Sequence, residues 1–590
     1  MGRCDPHSYT DLEQGRVTRL ELDVRVDMSD RVITGTARLI LDAPGDGPLD
    51  LDTRELRIDG IHDGAGQPLA FELSEPEPVL GSRLRVHRVE PTDRIVVQYR
   101  TSPSASALMW LSADQTDGDH PFLLSQCQAI HARSIVPITD TPQARIRYRA
   151  EVEVPESLAV VMSAAPGTVR AGNTGRRHFS FDMPQPIPPY LLAIAVGDFE
   201  RRDLGPRTAV YAEPAMLDAA AWEFADVERM LEAAEDLFGP YAWERFDFIV
   251  LPPAFPMGGM ENPRMTFLTP TLVAGDRSLV SVLAHELAHS WTGNLVTNAT
   301  NQDFWLNEGW TVYAERRILE VLYGLQDADL AAALGRLDLE ATLAERQASG
   351  QRTALCYEQD GLDPDLEFSL VPYEKGYLLL RALEAHVGRS AFDRFLRSYI
   401  DQFAFTSITS KTFVRFLEAK LPGAADAVEI GRWLHEDGLP RSAPSTSSAV
   451  LDDLAALGRR FGDGDRPTVE EVRTWSLAQQ MFYLRSLPQD LTAAECEAVG
   501  QLLGLVDSRN AELRCQWLSM ALRAGVPGIA EALHAHVGRV GRTKLLKPVY
   551  RALVEASGAD DAAEVYHRYR PRYHSSTRVA LDAILGLSST

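Results

Sequence analysis

Alternation of apolar and charged positions opens the chain. In LELDVRVD, Leu20, Leu22, Val24 and Val26 alternate with Glu21, Asp23, Arg25 and Asp27, the period of a half-buried strand. The pattern returns in ARIRYRAEVEV, where Ile146, Tyr148, Ala150, Val152 and Val154 share one face. Turn-rich spacers such as DAPGDGP separate these runs, and no long helical period interrupts them. Residues 1–199 therefore read as an N-terminal antiparallel β-sheet domain. From residue 200 the period changes. AAAWEFADVERMLEAAEDLFG predicts one amphipathic helix closed by a glycine. ERFDFIVLP predicts a short strand, and SLVSVLAHELAHSWTGN and NEGWTVYAERRILEVLYG predict two more helices. This mixed domain, residues 200–438, ends at a stretch rich in Pro, Ser and Thr that predicts a linker over 439–450. Over 451–590 every periodic segment is helical. PTVEEVRTWSLAQQMFYLRSL opens with Thr468 and Glu471 at the spacing of a capping box. Helix pairs stacked as a small solenoid are the natural packing there. The fold class is multidomain α+β.

Length supports several domains, because 590 residues exceed what one hydrophobic core serves. The formal net charge of -24 excludes nucleic acid and anionic membranes as favoured partners, since both would be repelled. The five cysteines (Cys4, Cys127, Cys356, Cys496, Cys515) are scattered and never form a C-x-x-C pair. That usage reads as reduced thiols in a cytoplasmic protein. The N-terminal stretch is polar with no apolar core of a secretory signal, and Pro6 stands where a myristoylation motif wants Ser or Thr. No apolar run approaches the roughly 20 residues of a membrane-spanning helix.

Candidate chemistry concentrates in HELAH and WLNEGW. Residues four apart on a helix lie on one face, so His285 and His289 can point at one ion. Catalytic zinc takes three protein ligands and leaves one position for water. Glu308, at the start of the next predicted helix and separated from His289 by eighteen residues, is placed to be the third ligand. Glu286, beside the first histidine, can take a proton from water at the open position. A bare H-E-x-x-H arises by chance in roughly one or two of a hundred chains of this size, so the added glutamate decides the matter. A substrate with a free α-amine would need a carboxylate to capture it. Glu261 in GGMEN is the candidate, with Gly258 and Gly259 before it letting backbone approach a substrate. Gln126 and Gln128 lie two apart in a predicted strand and face one way, while Cys127 between them faces a core. His131 and His386 have no partner spacing and read as structural. Glu315, seven residues after Glu308, fits either a supporting residue or a solvated surface position.

GGMEN, HELAH and the Glu308 spacing together resemble the gluzincin aminopeptidases of the M1 family. SQCQAIHARSIVP, HSWTGNLVTN and VPYEKG resemble its leukotriene A4 hydrolase branch, with aminopeptidase B as a neighbour, over nearly the whole chain. The resemblance implies a thermolysin-like catalytic domain between the β domain and an armadillo- or HEAT-like helical domain. It implies one zinc ion per chain on His285, His289 and Glu308, with Glu286 as base and Tyr373 as the hydroxyl facing the tetrahedral intermediate. It further implies that Gly258, Gly259, Met260, Glu261, Gln126 and Gln128 line the substrate cleft, with Gln128 helping Glu261 to hold the amine. Asp365 matches a pocket aspartate of the leukotriene branch. Arg542 and Lys544 in GRTKLLKP match a pair that grips a substrate carboxylate. The sequence departs from that branch at Phe368 and Met257, which stand where the leukotriene enzyme has tyrosines.

The function these residues predict is a monomeric zinc aminopeptidase acting on short peptides. Two other readings remain: an epoxide hydrolase using the same metal on a fatty-acid epoxide, and an inactive scaffold that binds partners through its helical domain. The intact ligand set, base, tyrosine and amine anchor argue against the scaffold.

Overall fold

In the computed structural model, which describes residues 5–173, 175–445, 448–461 and 464–587, the alternating strands become an eight-stranded sheet. Its centre is Val17–Asp27, paired antiparallel with Val32–Thr53 and parallel with Ile146–Pro155. The register brings Leu20 beside Leu39 and Tyr148, and Leu22 beside Ala37 and Ala150. All six are buried, so one apolar face is continuous across the three strands. The single parallel pair departs from the antiparallel expectation. It arises because the chain leaves this sheet after Ser82–Arg100 and builds part of a second one before returning. That second sheet has four strands, and its members Phe122–Ser125 and Ile194–Gly197 are buried at every position. Burial on both faces explains why they read as unbroken apolar runs rather than alternating ones.

A five-stranded sheet begins the catalytic region, with Glu200–Asp203, Thr208–Ala212, Phe246–Val250, Thr266–Leu268 and Gly259–Met260 in spatial order. Gly259–Met260 is its edge strand, so the GGMEN motif lies on a sheet border. The predicted helix over Ala219–Gly239 is two helices, Pro214–Glu223 and Val227–Phe238. Phe224 turns into the core edge-on to Phe248, and the Glu223 carboxylate accepts the backbone N–H groups of Gly275 and Arg277 at 2.7 and 2.8 Å. The helix carrying HELAH is shorter than predicted, Val280–Ala288, with His289 as its C-cap. The segment after Thr468 also divides, into Val469–Val472 and Leu477–Ser486. Each piece opens with its own capping box, Thr468 with Glu471 and Ser476 with Gln479. Beyond them the described residues are helical, as the periodicity predicts.

One contiguous buried cluster runs from Val17 to Leu434 and joins the β domain to the catalytic region. The helical domain has its own core around Leu518, Leu546 and Tyr550, to which Leu330 and Ala333 of the helix Leu325–Ala348 contribute. Arg145 ties the first two units by donating to the carbonyls of Asn294 at 2.6 Å and Thr406 at 2.7 Å. Burial pushes its pKa down to about 10, which leaves it charged at neutral pH. Thr543 ties the third by donating its backbone N–H to Pro256 O at 2.9 Å. Four cysteines among the described residues are free thiols, and Cys4 lies outside them. Among the described residues no helix is long and apolar enough to cross a membrane.

Candidate active site

The helix Val280–Ala288 buries Leu283, Ala284, Leu287 and Ala288, which leaves His285 and His289 on the side facing the helix Trp305–Tyr323. That second helix is buried along most of its length and carries Glu308 in its first turn. His285 Nε2 and His289 Nε2 lie 3.2 Å apart, and Glu308 Oε2 is 3.4 Å from the first and 3.5 Å from the second. Corners of a tetrahedron around an ion bonded at 2.0–2.1 Å are about 3.3–3.4 Å apart. The three atoms therefore stand as three such corners, and Glu308 Oε2 has no hydrogen-bond partner among the described residues. A divalent zinc ion fits.

The far sides of both imidazoles are held. His285 Nδ1 meets Glu315 Oε2 at 3.0 Å, which makes Glu315 the supporting residue rather than a solvated one. His289 Nδ1 faces Thr292 O and Thr311 Oγ1, each at 3.1 Å. Such partners fix ring orientation in metal sites. Burial holds His289 down to about 4 and so neutral, as a ligand must be. Burial also works against charge on His285, but the neighbouring carboxylates Glu308 and Glu315 hold its pKa well above the ordinary value. Two imidazoles among four carboxylates (Glu261, Glu286, Glu308, Glu315) form a centre short of positive charge.

Glu286 sits beside this triangle, buried, with Oε2 lacking a hydrogen-bond partner among the described residues. Burial and the neighbouring carboxylates Glu261 and Glu308 push its pKa well up, against the pull of His285. The edge strand explains its freedom of approach. A Cβ on Gly259 would stand 2.3 Å from Glu286 Oε1 and 2.6 Å from its Cγ, so only glycine leaves room for the whole carboxylate. Glu261 comes directly after that strand, and burial raises it to about 7. Its backbone carbonyl is fixed by Asn294 Nδ2 at 2.7 Å, and Gln128 Nε2 reaches its Oε1 at 3.4 Å.

The two glutamines correct the sequence expectation. The strand ends at Ser125, so Gln126 and Gln128 lie in the turn that follows. Gln126 Nε2 lies 3.1 Å from Met260 Sδ, and Gln128 still reaches Glu261. Cys127 is buried, and its thiol is pushed well up by that burial.

Tyr373 sits in a π-helical turn, Val371–Lys375, a distortion that recurs at functional sites. Its ring stacks on His285 with centroids 6.1 Å apart. Burial, together with the charges of Glu308 and Glu261, holds its hydroxyl well above the ordinary range, so it stays a donor. Lys375 pins the turn by donating to Thr353 O at 2.9 Å and Glu436 O at 2.8 Å. Gly309 of the helix Trp305–Tyr323 and Gly376 at the start of the helix Gly376–Val387 let these two helices touch: a Cβ on either would lie 2.8 Å from the other's Cα. That contact sets Tyr373 against the Glu308 helix.

Asp365 is nearly half exposed, at 47%, and its Oδ2 meets His131 Nε2 at 2.8 Å. His131 therefore has a partner that sequence spacing did not reveal. Partial burial works against the Asp365 charge, but the His131 bond outweighs it and holds the carboxyl below its usual range. Arg542 reaches the GGMEN strand from the helical domain, with Nη2 2.7 Å from where a Cβ on Gly258 would be. Lys544 is half exposed beside it, at 53%. Phe368 is exposed and meets Tyr373 edge-on, and Met257 packs partly buried against the core.

Comparison with known proteins covers all three units. A profile described as Peptidase M1 N-terminal domain matches residues 6–191, Peptidase family M1 domain matches 222–433, and Leukotriene A4 hydrolase, C-terminal matches 475–585. Leukotriene A-4 hydrolase of Xenopus laevis is 36% identical, covering 100% of both chains. Leucine aminopeptidase 2 of Yarrowia lipolytica is 34% identical over 97% of this chain and 92% of its own. Among solved structures, yeast LTA4 hydrolase in complex with Bestatin superposes with a TM-score of 0.92 at 32% identity, covering 99% of this chain and 98% of that one. An M1 zinc metallopeptidase from Deinococcus radiodurans shares the fold over 74% of this chain and 97% of its own, with a TM-score of 0.59 at 23% identity.

Proposed function

This chain belongs to the M1 peptidase family and is a zinc-dependent aminopeptidase with one catalytic ion; from that premise we propose how its residues divide the work. The observation that supports the assignment most is the triangle of His285, His289 and Glu308, with Glu286 on one flank and Glu261 directly after the edge strand Gly259–Met260. Zinc held there supplies Lewis acidity, which lowers the pKa of water and polarises the scissile carbonyl. Glu261 and Gln128 hold the substrate's α-ammonium, so the cut falls one residue in. The free edge of Gly259–Met260 offers backbone groups to an extended peptide. Glu286 accepts the proton of the attacking water and hands it to the departing amine. Tyr373 donates its hydroxyl to the oxygen on which negative charge develops. Gln126 and Met260 line the cleft, and Asp365, oriented by His131, faces its open side.

Arg542 and Lys544 form the far end, where a short peptide's terminal carboxylate is held. The distance from Glu261 to that end limits peptide length, so tripeptides and similar lengths are the substrates. Arg542→Ala is expected to lower kcat/KM on a free-acid tripeptide about ten- to a hundred-fold, the value of a charge-assisted bidentate contact. It should leave an aminoacyl anilide, which has no carboxylate, within about twofold. Equal losses on both substrates, or none on either, would refute the clamp.

The amine anchor has its own test. Tripeptides with a free N-terminus should be cleaved, and their N-acetylated counterparts should not, because acetylation removes the charge that Glu261 binds. Measurable turnover of the acetylated peptide would remove the exopeptidase reading. Hydrolysis of a fatty-acid epoxide ranks second, because Phe368 and Met257 alter the pocket while the peptidase set stays whole. We read the protein as a monomer and place it in the cytoplasm, the location supported by four free thiols among the described residues.

A further inference from the structure

Glu512 occupies the far end of the cleft and takes no part in the chemistry above. It lies in the first turn of the helix Ala511–Arg523. Asn510 fixes that turn from both sides. Its side-chain oxygen accepts the backbone N–H groups of Glu512 and Leu513 at 3.1 and 3.2 Å, and its amide donates to Ser278 Oγ of the catalytic region at 2.9 Å. The Glu512 carboxylate is thus held on a rigid element tied to the unit that carries the zinc ligands.

From there it bridges both cations of the clamp. Oε1 accepts from Arg542 Nη1 at 2.9 Å, and Oε2 lies 3.5 Å from Lys544 Nζ. Arg542 and Glu512 are largely shielded, with side chains 10% and 13% exposed. Burial alone would neutralise Glu512, but the charges of Lys544 and Arg542 hold its pKa below the ordinary value. It is ionised.

The tether has a direction. With Nη1 committed to Glu512, the opposite edge of the guanidinium lies on Gly258: a Cβ there would stand 2.7 Å from Nη2 and 3.4 Å from Nε. Arginine has several rotatable bonds, and a fork that must be ordered at the moment of binding costs affinity. A fixed carboxylate on one edge removes that freedom beforehand and leaves the other edge turned to the cleft floor. Two cations and one carboxylate also leave a net charge of +1, which matches one carboxylate on a peptide.

We infer that Glu512 is a positioning residue for recognition of the peptide's C-terminal carboxylate, acting by holding Arg542 and Lys544 as one preset unit. The inference rests on the reading of those two residues as the clamp. Steady-state kinetics on the full-length zinc enzyme test it, with a free-acid tripeptide and an aminoacyl anilide run side by side. Glu512→Gln keeps the shape and removes the charge. KM for the tripeptide should rise about five- to tenfold with kcat within about twofold, and the anilide should be unaffected. In a background carrying both Arg542→Ala and Lys544→Ala the same change should add less than about twofold, because the residues it positions are gone.

Three results overturn the inference: an unchanged tripeptide KM, a lowered one, which would make Glu512 a competitor of the substrate, or equal losses on both substrates, which would make its role structural. Arg542→Ala alone separates the two levels. If it fails to discriminate between the substrates, the clamp itself is wrong. If it discriminates and Glu512→Gln does not, only the role of Glu512 falls.

Discussion

Replacing Glu286 with glutamine is expected to cut turnover by at least ~10²-fold while zinc stays bound. The substitution keeps volume and the ability to accept one hydrogen bond, and Gly259, with no Cβ, leaves the amide the same room as the carboxylate. What it removes is proton acceptance. Glu286 is buried, and its Oε2 has no hydrogen-bond partner among the described residues, so no protein group there competes for the proton it would take. It is not one of the three atoms of the metal triangle, so metal content should match the wild type. KM should move little, since in the proposed division of work Glu261, Gln128 and the clamp carry binding. Kinetics beside metal analysis would check both halves. A Glu286→Gln enzyme working near the wild-type rate would require another base, and one that had lost its zinc would show that Glu286 holds the site together instead.

Much of this site was legible because its parts obey local periods. A spacing of four places His285 and His289 on one helical face whatever the rest of the chain does, and the first turn of the next helix is a short reach away. The strands were legible for the same reason: Leu20, Leu22, Val24 and Val26 alternate because one face of their sheet is buried. Reading failed where a distant group decided the outcome. The apolar period of Ala219–Gly239 is unbroken in sequence, and the break comes from Phe224 meeting Phe248 and from Glu223 capping Gly275 and Arg277. Gln126 and Gln128 alternate with Cys127 as a strand would, yet the ladder stops at Ser125. His131 gave no signal because its partner, Asp365, is 234 residues away. Glu512 gave none either: it stands 30 residues from Arg542 on another helix, and nothing in its own surroundings marks it as part of a cleft.

Removal of the metal should abolish activity, and one equivalent of zinc per chain should restore it. The argument starts from what the protein has already arranged. Two imidazole nitrogens and a carboxylate oxygen stand 3.2–3.5 Å apart, largely shielded, with both imidazoles fixed from behind by Glu315, Thr292 and Thr311. Crowding two imidazoles among four carboxylates leaves a shortfall of positive charge that a divalent cation would fill, and Glu308 Oε2 has no hydrogen-bond partner among the described residues. Zinc should therefore stabilise the native state as well as activate it. A ligand that binds only the folded form adds about 4 kcal/mol at a free concentration a thousand times its Kd. Chelated protein should accordingly unfold at a lower temperature than the loaded form, with the difference closing as zinc is returned. Uptake should weaken as the pH falls through the range where imidazoles protonate, because protons and metal compete for the same nitrogens. Metal analysis, peptidase assay and thermal unfolding on one preparation test all of this together. Full turnover by rigorously metal-free protein would end the mechanism. Restored turnover with no gain in unfolding temperature would mean that the triangle is held by the fold alone and gains nothing from its ion.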